Sequence, residues 1–193
     1  TFDHRIALMA PDGTYIGQHG PLSRTGFAAG ADSPTRFLLP ESVAYDQTGF
    51  LWVSDSGNDR VKRISPTGET VLVTPEAAVI RPRGIAVAPD GSAYVADSGQ
   101  NALLKIDVDG TVGVARADLK APFGAAWGGP GPTPSVWVAT STNIVDALGT
   151  GRIDPPFGAK TWVRPDSLAF APDGTLYVSE SRPKVENGAR VLR

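Results

Sequence analysis

The sequence predicts an all-β fold, a β-propeller of four-stranded blades with about 40 residues per blade. Three observations carry this. Prolines at positions 40, 82, 122 and 165 each open the same phrase: Pro, a variable residue, Ser or Gly, an apolar residue, Ala, then an apolar or aromatic residue. A second phrase follows each, with an aromatic at its third place: Trp52, Tyr94, Trp137 and Tyr177. Glycine (22) and proline (17) recur at intervals along the chain instead of collecting in one linker, which is the punctuation of many short strands joined by tight turns.

Taken in order, residues 1–20 read as a partial blade. Asp3-His4-Arg5-Ile6 has the build of Asp59-Arg60-Val61, so the chain is expected to begin at the third strand of a blade. Residues 38–75 make a full blade. Its first strand starts at Pro40, the Gln47-Thr48-Gly49 turn follows, the second strand ends at Asp55, the third covers 60–65, and Pro66-Thr67-Gly68 leads into the fourth. Residues 81–117 repeat this with turns at Pro89-Asp90-Gly91 and Val108-Asp109-Gly110. Glycine supplies the positive φ such hairpins need. Residues 121–163 form an irregular blade, with a longer 128–134 stretch where the first turn should be. Residues 164–193 give a first and a second strand around Pro172-Asp173-Gly174, then a third strand near the end with no fourth.

The expected organisation is a single domain, 1–193, of three full blades plus two partial ones, forming part of a six-bladed ring. Six blades of about 40 residues need about 240. A protein partner or the remainder of a larger polypeptide is therefore expected against the unpaired strand edges. The repeat-locked aromatics Trp52, Tyr94, Trp137 and Tyr177 are expected in the packed core between blades.

Composition removes several functions. A net charge of −2 argues against nucleic acid, which needs clustered Lys and Arg to neutralise phosphates. No apolar run is long enough for a transmembrane helix. The absence of cysteine excludes disulfides, thiolate nucleophiles and cysteine metal sites. It also fits an extracytoplasmic setting (secreted, periplasmic or cell surface). Neither a signal peptide nor an initiator Met is visible, so the chain reads as processed, excised or incompletely represented.

Pro82-Arg83-Gly84-Ile85-Ala86-Val87 followed by Tyr94-Val95-Ala96-Asp97-Ser98-Gly99 resembles an NHL repeat, as does Trp52-Val53-Ser54-Asp55-Ser56-Gly57. The resemblance is to the propellers of the NHL and SMP-30-like superfamily. It implies the fold and leaves the function open, since that fold carries many.

On such a scaffold the lead-in to the first strand and the loop between second and third strands open on one face. That places Glu41, Arg83, Phe123 and Asp166 at the channel mouth as candidates for ligand or partner binding. Asp55, Asp97, Thr140 and Glu180 lie further along each blade. Asp55 and Asp97 precede Ser-Gly and are expected as structural turn residues whose carboxylates cap backbone N–H groups. Glu180 breaks that pattern and joins the binding candidates. The long 17–37 connection, with Arg24, Asp32 and Arg36, is expected on the same face, as a functional loop or a spacer.

With only His4 and His19 available, a three-histidine zinc site is impossible. No cofactor is predicted. Calcium is possible, with Glu41, Asp166 and Glu180 as candidate metal ligands. No Gly-x-Ser-x-Gly, no Ser-His-Asp set and no phosphate loop opening a helix is present. Two function classes stay open. The first is a non-catalytic binding or assembly module using the loop face or blade edges. The second is a metal-dependent SMP-30-like hydrolase (lactonase) or lyase with its site at the channel mouth.

Overall fold

The structure is a computed structural model and describes residues 4–20, 36–129, 134–153, 164–181 and 189–192. These form a fan of antiparallel sheets. A hairpin of β1 (Ile6–Met9) and β2 (Tyr15–His19) comes first. Three four-stranded meanders follow. The first is β3 (Pro40–Tyr45), β4 (Leu51–Asp55), β5 (Arg60–Ile64) and β6 (Thr70–Val73). The second is β7 (Pro82–Val87), β8 (Ala93–Asp97), β9 (Ala102–Ile106) and β10 (Val112–Arg116). The third is β11 (Ala125–Gly128), β12 (Ser135–Ala139), β13 (Ile144–Asp146) and β14 (Arg152–Ile153). A three-stranded sheet closes the fan: β15 (Pro165–Phe170), β16 (Leu176–Ser181) and β17 (Ala189–Leu192). The first strands lie side by side, β3 against β7, β7 against β11 and β11 against β15, and so surround a common axis. This is the blade architecture of a β-propeller.

The core lies between blades. Every residue of β4 and β8 is buried, because neighbouring sheets cover both faces. That is why Leu51-Trp52-Val53 and Ala93-Tyr94-Val95-Ala96 read as apolar runs and do not alternate. Trp52 packs with Val61, Ile85 and Leu104; Tyr94 with Leu103 and Val138; Trp137 with Ile144 and Leu168. The following blade stacks Trp127 on Tyr94 at 6.3 Å and sets Phe170 edge-on to Trp137 at 6.4 Å. Tyr177 departs from the core placement expected for it and is 37% exposed. The reason is geometric: each buried aromatic is covered by the next blade's first strand, and no described strand follows β15–β17 in that position.

Glycines in or just before the first strands have a steric cause. A Cβ on Gly84 would sit 2.4 Å from the Ala125 nitrogen, and one on Gly124 would sit 2.8 Å from the Asp166 carbonyl oxygen. The Gly84 N–H donates to the Phe123 carbonyl at 2.6 Å, joining adjacent blades at the axis.

The residue before each repeat proline is left-handed: Leu39, Arg81, Ala121 and Arg164 have φ of 49°, 50°, 45° and 50°. Such a conformation is strained for a non-glycine residue. The preceding blade holds three of these corners. The Leu39 N–H donates to His4 Nδ1 at 3.0 Å, the Arg81 N–H to Asp59 Oδ1 at 2.6 Å and the Ala121 N–H to Asn101 Oδ1 at 3.2 Å. His4, Asp59 and Asn101 are left-handed too.

Candidate functional site at the channel mouth

The variable residue after each repeat proline reaches the mouth because the strand bulges there. Pro40 faces Asp55 and Ser42 faces Ser54, so Glu41 is the extra residue. Asp166 is extra in the same way between Pro165 and Ser167, and Arg83 lies in the register shift between Pro82 and Ile85. A bulge re-aims its residue away from the sheet. In the third blade Phe123 precedes β11 and is fixed by its N–H donating to the Ala139 carbonyl at 2.8 Å.

Glu41, Arg83, Phe123 and Asp166 line one cleft of about 470 Å³. Arg164 completes it. The side chains form an arch across four blades. The Ser56 hydroxyl lies 3.4 Å from Glu41 Oε1, and Glu41 Oε2 lies 3.6 Å from Arg83 Nε. The Arg83 guanidinium sits over the Phe123 ring at 4.7 Å, and Arg164 sits over the same ring at 5.5 Å. Arg164 Nε is 3.4 Å from Asp166 Oδ1, and Asp166 Oδ2 accepts from the Ser181 hydroxyl. Arg164 is a cleft residue beyond those expected from the sequence. Its signal is faint: it differs from Arg83 by two places in the repeat, and only the left-handed backbone at Arg164 identifies its corner.

Glu180 does not join this cleft. It is 2% exposed and pairs with Pro165 and Arg190 across β16, in the place Asp55 and Asp97 occupy in their blades. Those two carboxylates are fully buried. Each accepts from the backbone leading into its own blade, Asp55 from Leu38 N–H at 2.6 Å and Asp97 from Ile80 N–H at 2.7 Å. Asp97 also caps its own turn through Gln100 N–H at 2.8 Å, whereas Asp55 caps no amide of its turn. Instead Asp55 accepts from Asn58 and pairs with Lys62 at 2.8 Å, both charges being wholly buried. Lys62 donates on to the Arg36 carbonyl at 2.5 Å and lies over Phe37.

Among the described residues no group of three His, Asp or Glu side chains is placed to hold a metal ion. Glu41 and Asp166 each face an arginine, which opposes cation binding, and Glu180 does not line the cleft. Of the 17–37 connection only 17–20 and 36–37 fall within the described residues, and Arg24 and Asp32 lie outside them. A second hollow of about 800 Å³ opens beside Trp127 and Phe170. Among the described residues its one ionisable side chain is Asp173, whose carboxylate caps the Thr175 N–H. Among the described residues no helix is long and apolar enough to cross a membrane.

Residues 37–64 match the sequence model of the NHL repeat. No match is found among curated protein sequences. The solved structures that resemble the chain differ in function. A streptogramin B lyase aligns at 17% identity with a TM-score of 0.62, over 91% of this chain and 55% of that one. Nidogen, from a nidogen/laminin complex, aligns at 17% identity with a TM-score of 0.60, over 81% and 63%. Regucalcin of Agrobacterium tumefaciens, described as a calcium-binding protein, aligns at 17% with a TM-score of 0.55, over 77% and 55%. The chain thus spans between 55% and 63% of these three structures. Fold and repeat together define a β-propeller that carries an NHL repeat at residues 37–64 and is similar in fold to these structures.

Proposed function

We propose that the chain is a non-catalytic binding module whose channel mouth receives a protein partner. One observation carries the reading: two arginines flank a single aromatic ring at the axis, each only loosely paired to a carboxylate. Arginine and aromatic side chains dominate binding surfaces because they combine area with directed hydrogen bonds. The cleft holds no histidine, and the Asp166 carboxylate is engaged by Ser181 and Arg164. The similarity to nidogen is consistent with a binding role. The similarity to a lyase and to a calcium-binding protein keeps a metal-dependent hydrolase or lyase as the competing class, with calcium as its possible ion.

Two measurements decide between them. A photo-crosslinking residue at position 123 should capture a defined protein from the native extract, whereas the same group at exposed Tyr15, far along the chain, should not. Calorimetry with Ca²⁺ should show no site that depends on Asp166. A tight Ca²⁺ site abolished by Asp166→Ala overturns the binding-module reading.

A further inference from the structure

The cleft's cations have hydrogen-bonding capacity left over. Arg83 meets Glu41 through Nε alone, at a distance too long for a strong hydrogen bond, and this nitrogen is buried without a hydrogen-bond partner. Arg164 likewise meets Asp166 through Nε. Among the described residues neither guanidinium's terminal nitrogens donate to a protein acceptor, so two planar forks remain unspent at one ring. Contact with the Phe123 ring restrains each guanidinium and lowers the entropy lost when it binds.

We propose that Arg83 and Arg164 form a carboxylate-binding site, and that its occupant is an acidic side chain of the protein partner. This deepens the binding-module reading and rests on it. A planar fork matches a carboxylate bidentately. The charges already present select the valence. Two arginines stand against Glu41 and Asp166, so the cleft is close to neutral. A monoanion adds one negative charge there, and a phosphate dianion adds two against the same carboxylates. Asp166 is also held by the Ser181 hydroxyl, so Arg164 can engage a ligand while Asp166 stays in place, and Arg83 is bound to Glu41 only through a long contact.

The test uses the full chain and NMR titration at constant ionic strength. The probes are a short capped peptide with two adjacent Glu, its Gln counterpart, and inorganic phosphate. The Glu peptide is expected to bind at least about tenfold tighter than the Gln peptide and tighter than phosphate. Arg83→Lys and Arg164→Lys keep the charge and remove the fork, and each should weaken the Glu peptide about tenfold. Equal binding of the two peptides, no binding of either, tighter binding of phosphate, or indifference to both Lys variants overturns the proposal. If position 123 still captures a partner in that event, the binding module stands and only the carboxylate site falls. If crosslinking also fails and Ca²⁺ binds through Asp166, both fall.

Discussion

Asp59 and Arg81 belong to different blades and are tied by a 2.6 Å hydrogen bond from the Arg81 N–H to the Asp59 carboxylate. Both residues are left-handed, so the bond joins two strained corners. Asp59→Ala removes the acceptor and puts a residue without a local hydrogen bond at φ 50°. A loss of about 2 kcal/mol is expected from urea unfolding. Asp59→Asn retains an acceptor and tolerates the conformation, and should stay within about 0.5 kcal/mol of the parent. Equal losses for the two variants would show that the bond contributes nothing.

The buried pair of Asp55 and Lys62 should be costly to break from either side. Removing one partner of such a pair typically costs about 3–5 kcal/mol. Asp55 also holds the Leu38 N–H and Asn58, whereas Lys62→Met keeps the volume that lies over Phe37. Asp55→Ala is therefore expected to be the worse of the two by thermal denaturation. If Lys62→Met proves neutral, the ion pair is replaceable by packing alone.

Gly84→Ala and Gly124→Ala should both destabilise the axis, because the added Cβ meets backbone and not a movable side chain. The cost expected is about 3 kcal/mol or more for each. Gly113→Ala, which meets nothing within 4 Å, is the control and should be near neutral. Chemical denaturation of the three variants side by side checks the ranking.

Acid should weaken the fold through Asp46. Burial alone pushes this carboxyl up, but hydrogen bonds from the Thr48 hydroxyl, the Arg63 guanidinium and the Phe50 and Thr48 N–H groups outweigh it and hold it at about 2, against an ordinary 3.8. The folded pKa is the lower one, so the unfolded chain takes up the proton first. The stabilisation is complete above the ordinary carboxylate range, falls as the pH drops below about 4, and is gone once the pH passes below about 2. About 2 kcal/mol is at stake. Urea midpoints of the parent and of Asp46→Asn should differ at pH 7 and converge toward pH 2; a constant gap across that range would refute the assignment.

The strands and the mouth were readable because both are tied to the repeat. Pro40, Pro82, Pro122 and Pro165 mark the axis, and the residue after each of them reaches the cleft. What could not be read depends on departures from the repeat. Lys62 stands where the next blade has Leu104, and only that substitution hints that Asp55 has a buried cation to serve. Arg164 reaches Phe123 from a corner whose backbone conformation runs against the preference of a pre-proline residue, which no propensity argument would supply. Tyr177 carries the same letter pattern as Tyr94, but burial depends on what covers a residue as well as on its own strand.

The latches at Leu39, Arg81 and Ala121 also change what a local measurement reports. Each amide sits in one blade and is protected by a side chain of the blade before it. Its hydrogen exchange therefore follows the opening of the neighbour as much as its own strand. A blade that frays uncovers a donor one step further round the fan, so disorder entering at one blade is passed on in chain order. Seen this way the molecule is a row of coupled two-state units, and its weakest joint is set by whichever acceptor (imidazole, carboxylate or amide) holds the corner least tightly.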